Sequence, residues 1–237
     1  MTEQEKKELQ ERVKSVIERV NNAAVQAGRD PSEITLVAAT KMNDAERVQA
    51  AIEAGIRVCG ENRVQELQEK YEQNAYDGAD LQFIGTLQTN KVKYLIGKVS
   101  LIQSVGSVHL GEAIAKEAEK RGVCQDILLE VNIGREENKS GVMPEQLEEL
   151  LCQIAELDGI LVKGLMAIPP ICESSQKISE FFNKMHNIFI DISQKKLDNI
   201  DMNILSMGMS ADYYEAVLAG ANMVRVGSAL FGARNYT

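Results

Sequence analysis

The sequence predicts an α/β protein folded as a single (β/α)8 barrel of the TIM type. Eight short apolar segments recur along the chain, helical patterns separate them, and the length of 237 residues lies close to the roughly 250 usual for such barrels. The rival fold, a doubly wound sheet, calls for a G-x-G-x-x-G turn after its first strand. Here that strand runs into Thr40-Lys41-Met42-Asn43-Asp44, which contains no glycine. No Pro/Gly/Ser-rich linker interrupts the pattern, so residues 1–237 are expected to form one domain.

A first helix is predicted from Glu3 to Gln26. Val13, Val16, Ile17, Val20, Ala23 and Ala24 recur there at spacings of three and four among charges, and Gly28 ends it. Its apolar stripe suits either the barrel bottom or a neighbouring molecule. Ile34–Ala39 is a continuous apolar run rich in β-branched residues, as expected of a strand covered on both faces. Further strands are predicted at Arg57–Gly60, Leu81–Gly85, Leu101–Ser104, Asp126–Asn132, Leu161–Ile168, Asn203–Met207 and Met223–Val226. Helical patterns alternate with them at Asp44–Ala54, Arg63–Gln73, Asn90–Gly97, Leu110–Gly122, Glu145–Leu157, Ser175–Lys195 and Ala211–Ala219, several closed by glycine.

Composition narrows the function. With 26 basic and 35 acidic residues the formal charge is −9, so nothing draws the chain to phosphodiester backbones or anionic lipid. No apolar run reaches the ~18 residues of a membrane span, and the start, Met1-Thr2-Glu3-Gln4-Glu5-Lys6-Lys7, lacks the apolar core of a signal peptide. A cytoplasmic protein is expected, with neither nucleic acid nor membrane as partner. Cys59, Cys124, Cys152 and Cys172 form no C-x-x-C pair, and His109 and His186 lie far apart, so no metal site is expected and the thiols read as reduced.

In a barrel the reactive groups gather at the carboxyl ends of the strands. Lys41 stands directly after the first strand, where partial desolvation would lower its pKa towards nucleophilic use; an ordinary solvated loop lysine is the alternative. Ser206-Met207-Gly208-Met209-Ser210 ends the seventh strand and Val224-Arg225-Val226-Gly227-Ser228 the eighth. Barrels often hold phosphate at these two strand ends, where glycine admits close backbone N–H groups and a helix start adds its dipole. Asp212 opposes this unless its carboxylate turns to solvent, and Ser210 suits an ordinary N-cap. A lysine across from a phosphate cup fits a ligand bearing an aldehyde and a phosphate: pyridoxal 5′-phosphate (PLP) or a phosphorylated sugar aldehyde. Arg225 favours PLP in part, because a guanidinium there can meet the pyridine nitrogen, although it could equally serve a salt bridge.

The chain resembles the PLP homeostasis proteins (YggS/PROSC-like). The likeness is carried by Val37-Ala38-Ala39-Thr40-Lys41, Gly60-Glu61-Asn62-Arg63-Val64-Gln65-Glu66 and Phe83-Ile84-Gly85-Thr86-Leu87-Gln88-Thr89-Asn90-Lys91. Val131-Asn132-Ile133, Lys139-Ser140-Gly141, Gly164-Leu165-Met166, Leu205 to Ser210 and Val224 to Gly232 continue it. The resemblance implies the barrel of the alanine racemase N-terminal domain (PLP fold type III), with PLP as an aldimine on Lys41 and Asn62 and Met166 near the ring. It also implies Arg225 at the ring nitrogen and Ser206, Gly208, Met209, Ser210, Gly227 and Ser228 around the phosphate. Three positions depart from the family pattern: Thr86 where His or Pro is frequent, Gly106 where Ser-Val-Asp is usual, and Ser228 where Thr is usual.

Racemases on this barrel carry a second β-domain that supplies a tyrosine acid/base, and this chain stops five residues beyond Gly232. One proton-transfer group is therefore expected to be missing, and Tyr213-Tyr214 read as packing residues. The expected role is non-catalytic: PLP buffering or delivery to apo forms of PLP enzymes, by a monomer or weak dimer. A weak PLP-dependent racemase and a Schiff-base aldolase for phosphorylated aldehydes are the alternatives.

Overall fold

The computed structural model describes residues 1–171, 174–195 and 197–232. Eight parallel strands close into a barrel in sequence order: β1 Thr35–Ala39, β2 Val58–Glu61, β3 Asp80–Phe83, β4 Leu101–Val105, β5 Gln125–Val131, β6 Ile160–Ala167, β7 Ile200–Ser206 and β8 Met223–Val226. The closing pair sets Val37 beside Arg225 and Ala38 beside Val226. Around the barrel lie α1 Glu3–Gln26, α2 Ala45–Glu53, α3 Val64–Glu72, α4 Val108–Arg121, α5 Leu147–Ala155, α6 Ser175–Ser193, α7 Tyr213–Leu218 and the four-residue α8 Ser228–Phe231. The predicted fold class holds. No described helix is long and apolar enough to cross a membrane.

Alternation along each strand builds two apolar layers. Val37, Ala39, Ile84, Leu101, Leu128, Met166 and Met223 form one buried cluster inside the barrel. Residues of opposite parity, such as Ala38, Cys59, Phe83, Ile127 and Leu165, join the helices in the larger outer cluster. Burial between strand and helix pushes the Cys59 thiol up to about 12, so it stays protonated. Cys172 lies outside the described residues.

The stripe of α1 is spent within the chain. Thr2 and Glu5 cap its start reciprocally, and Leu9, Val13, Val16, Val20, Ala23 and Ala24 are buried where it packs on α2, α7 and α8, across the seam between β8 and β1.

One predicted helix is different in kind. In place of an α-helix over Asn90–Gly97, residues Thr89–Tyr94 form a 3₁₀ segment, with bonds such as Leu95 N–H to Val92 C=O. Arg121 at the end of α4 donates to the carbonyls of Lys93 and Ile96, satisfying groups that a further helical turn would otherwise have engaged. β7 begins three residues earlier than predicted and α8 was not predicted at all, four residues being too few to show a period.

Gly164 fixes a register shift of β6 against its neighbours. At φ +154 a Cβ there would lie 1.8 Å from the Ile204 carbonyl oxygen, so the strands could not keep their spacing. Gly28, at φ +72 after α1, has open space around it. Gly164→Ala should therefore cost at least ~3 kcal/mol and Gly28→Ala only ~1 kcal/mol of backbone strain. Urea unfolding of the two variants, compared at equal slope, measures the difference.

Candidate functional site

At the carboxyl ends of β1 and β8 lies a cleft of about 320 Å³, lined by Ala39, Lys41, Asp44, Arg47, Gly227 and Ser228. β1–β8 pairing accounts for this meeting of residues nearly two hundred positions apart, since Ala38 and Val226, neighbours in register, each stand shortly before a lining residue.

The backbone that carries Lys41 is held from both sides. Thr40 N–H donates to the Gly60 carbonyl (3.0 Å) and the Thr40 hydroxyl to Glu61 Oε1 (2.7 Å). Lys70 Nζ donates to the Thr40 carbonyl (2.8 Å), to Glu61 Oε1 (2.7 Å) and to Glu66 Oε1 (2.6 Å), while Met42 N–H donates to Glu66. Glu61 is fully buried and also accepts from Tyr76 Oη (3.0 Å). Burial raises its carboxyl above the usual range, against the pull of Lys70 and Thr40. A buried ion pair of this kind is weak evidence for stability, but it fixes geometry.

Arg225 is buried on β8. Its Nη1 donates to Ser206 Oγ (2.5 Å) and its Nη2 to the Ala167 carbonyl (3.0 Å). Burial lowers its pKa to about 10, which Glu130 and Asp212 partly oppose, so the guanidinium is charged at neutral pH. Glu130, buried on β5 and a donor target of Ser140 (2.8 Å), is likewise pushed up by burial.

The turns after β7 and β8 are tied together. Gly208 C=O accepts from Arg225 N–H (3.0 Å), and Ser210 Oγ accepts from the N–H groups of Gly227 (3.0 Å) and Ala229 (3.3 Å). Ser210 thus caps the short α8, whereas the N-cap position of α7 is taken by Asp212. The Asp212 carboxylate does not turn to solvent; it takes Met209 N–H (2.6 Å), and burial raises its pKa. Met209 leaves its side chain exposed.

The predicted site residues therefore divide. Lys41, Gly227 and Ser228 share one cleft, and Gly208 and Ser210 bond to the strand and turn beside it. Ser206 is fully buried with its hydroxyl engaged by Arg225 and by Gln103, which sets it behind Arg225 rather than among the turn groups. Met166 lies in the interior cluster, in register with Ser206 and Glu130. Asn62 follows β2 against Gly85, whose missing Cβ would sit 2.2 Å from the Asn62 carbonyl oxygen. Among the described residues its buried Oδ1 has no hydrogen-bond partner, which leaves an acceptor that a bound donor would satisfy. Thr86 is exposed. Gly106 is explained by packing, since a Cβ there would lie 3.0 Å from Gly141 Cα in the loop after β5. Tyr213 and Tyr214 flank Arg19 of α1, a structural role.

Sequence reasoning missed Glu61, Lys70, Glu130, Gln82 and Gln103. For the four on strands, polar residues inside otherwise apolar runs, as in Asp126-Ile127-Leu128-Leu129-Glu130-Val131, were the available signal; Lys70, on α3, had none.

Comparison with known proteins places this geometry. The family model "Alanine racemase, N-terminal domain" matches residues 15–235. The pyridoxal phosphate homeostasis protein of Aquifex aeolicus is 43% identical over 95% of this chain and 98% of its own. The crystal structure of an unknown protein from Bifidobacterium adolescentis superposes with a TM-score of 0.92 at 34% identity, covering 98% of this chain and 97% of that one. PipY of Synechococcus elongatus PCC7942, solved with PLP bound, gives a TM-score of 0.78 at 30% identity over 92% of this chain and 100% of its own. Barrel, matched segments and whole-length identity agree: the chain belongs to the pyridoxal phosphate homeostasis protein family, built on the alanine racemase N-terminal domain.

Proposed function

We propose that this chain binds PLP and serves PLP homeostasis in the cytoplasm, holding the cofactor for buffering or delivery to apo-enzymes without turning over a substrate. The observation that carries the reading is the shared cleft of Lys41, Gly227 and Ser228 at the β1–β8 seam, with the charged Arg225 buried on the adjoining strand. The name of the Aquifex relative and the PLP bound to PipY support it.

When bound, PLP supplies an aldehyde that can condense with a primary amine, losing water. Lys41 is the amine at hand, its backbone held by Thr40, Glu61 and Lys70. Gly227, Ser228, Gly208 and Ser210 would hold the phosphate, with Met209 contributing if its N–H exchanges Asp212 for the ligand. Asn62 and Met166 would flank the ring. Arg225, a cation with donors only, would face the ring nitrogen and keep it unprotonated, which weakens the ring as an electron sink for carbanions. That electrostatic choice weighs against carbanion chemistry on the cofactor and so against the racemase reading.

An added Cβ at Gly227 meets Ala39 at 3.4 Å, an ordinary contact, so a side chain can start there without displacing its neighbours, and both residues line the cleft. Gly227→Leu should keep its melting temperature within a few degrees yet lose PLP through dialysis at least about tenfold faster than the parent. Retention equal to the parent's would remove the phosphate from this turn. The PLP-loaded protein should also turn over no common amino acid, nor cleave phosphorylated aldehydes, at ~1 per second or faster. Chiral product analysis and aldehyde-release assays check this.

A further inference from the structure

The inside of the barrel carries a file of polar side chains that the cofactor site alone does not require. Arg225 Nη1 on β8 donates to Ser206 Oγ on β7 (2.5 Å), and that hydroxyl donates to Gln103 Oε1 on β4 (2.7 Å). Gln103 Nε2 donates to Gln82 Oε1 on β3 (2.7 Å) and touches Met223 Sδ (3.1 Å). Gln82 Nε2 donates to Asp80 Oδ2 (3.2 Å), which also accepts from Ser100 Oγ (2.6 Å). Asp80 opens β3 and is exposed, so the file crosses the barrel from the strand ends near Lys41 to solvent on the opposite side.

Its polarity is fixed by its ends. A guanidinium can only donate and a carboxylate can only accept, so the hydroxyl and both amides between them have one orientation that makes every bond. Each unit then turns its oxygen towards Arg225 and its hydrogen towards Asp80. Aligned dipoles of this sense favour both terminal charges, and in a low-dielectric interior they polarise one another. Ser206 and Gln103 are fully buried and Gln82 nearly so. Apolar side chains in their place would pack without the desolvation cost that these groups carry. Fully satisfied, however, the file allows Ser206 one rotamer, and Ser206 in turn gives the guanidinium one seat.

We infer that Gln103, with Gln82 behind it, is a positioning residue: acting through Ser206, it fixes where the Arg225 guanidinium presents its free edge to the ring nitrogen of PLP. This rests on the proposed function and adds to it a determinant on the far strands β3 and β4, which contribute no group to the cleft.

The test is a PLP titration followed in the visible, on the full chain and four variants. Gln103→Leu removes the acceptor of Ser206 and should raise the dissociation constant roughly tenfold and shift the visible absorption maximum. Gln82→Leu, one bond further from Arg225, should raise it about threefold. Leu128→Ala, an equally buried interior change off the file, should bind as the parent does despite its own loss of stability. If Gln103→Leu does not fold, Ser206→Ala cuts the file one bond nearer Arg225 and must give the same rise and the same shift. Binding by the parent together with an unchanged constant and spectrum in Gln103→Leu, or in Ser206→Ala in its place, overturns the inference, as does an equal loss in Leu128→Ala. Absence of PLP binding by the parent overturns the cofactor reading, and this inference with it.

Discussion

Pairing of β1 with β8 is the constraint on which the rest depends. Parallel strands next to each other in the sheet bring their carboxyl ends to one rim, and closure makes neighbours of the first and last strands. Through it the turn at Thr40-Lys41 meets the turn at Gly227-Ser228. Everything packed behind these two strands serves to keep them in place: α1 lies across the seam on α2, α7 and α8, and Arg47 of α2 donates to the Phe231 carbonyl (3.0 Å) at the end of α8. Loosening the seam would separate the lysine from the turn it faces.

Two polar assemblies stand behind the rim, and they act on different parts of it. Outside the barrel, Lys70 and Glu66 hold the backbone on either side of Lys41, and Glu61, with Tyr76 behind it, holds Lys70 and the Thr40 hydroxyl. Inside, the file from Arg225 to Asp80 holds a guanidinium. Each contains a charge that burial disfavours, and each is met by a set of hydrogen bonds rather than by one, although those to Glu61 all fall on Oε1 and, among the described residues, leave its buried Oε2 without a partner. The net stability from such bonds is modest, of the order of 1 kcal/mol apiece, whereas leaving one partner unsatisfied costs about 1–3 kcal/mol. Their value is therefore better sought in the placement of Lys41 and Arg225 than in the free energy of folding.

Much of this was legible in the sequence, and the reason is periodicity. Eight apolar runs set the strands within a few residues, spacings of three and four set α1 to its observed bounds, and position after a strand singled out Lys41 and the two glycine turns. Three kinds of feature were not legible. Thr89–Tyr94 has helical composition but its length and its Arg121 contacts favour a 3₁₀ segment. Ser206 was assigned by its place in a turn motif, and only the three-dimensional position of Gln103 shows where its hydroxyl goes. Gln82, Gln103 and Glu130 interrupt apolar strands with polar groups whose partners lie on other strands, tens of residues away, and no local pattern announces such a partner. Lys70 looked like any lysine on an amphipathic helix.

The central claim is that Lys41 is the residue through which the chain holds PLP, and covalent trapping tests it most directly. The PLP-loaded protein is reduced with borohydride, digested and mapped by mass. The account predicts a pyridoxyl mass on the peptide containing Lys41, with little on peptides containing Lys91, Lys139 or any other lysine. A pyridoxyl mass mainly on another lysine, or no fixed label from a protein that visibly retains PLP, would contradict it.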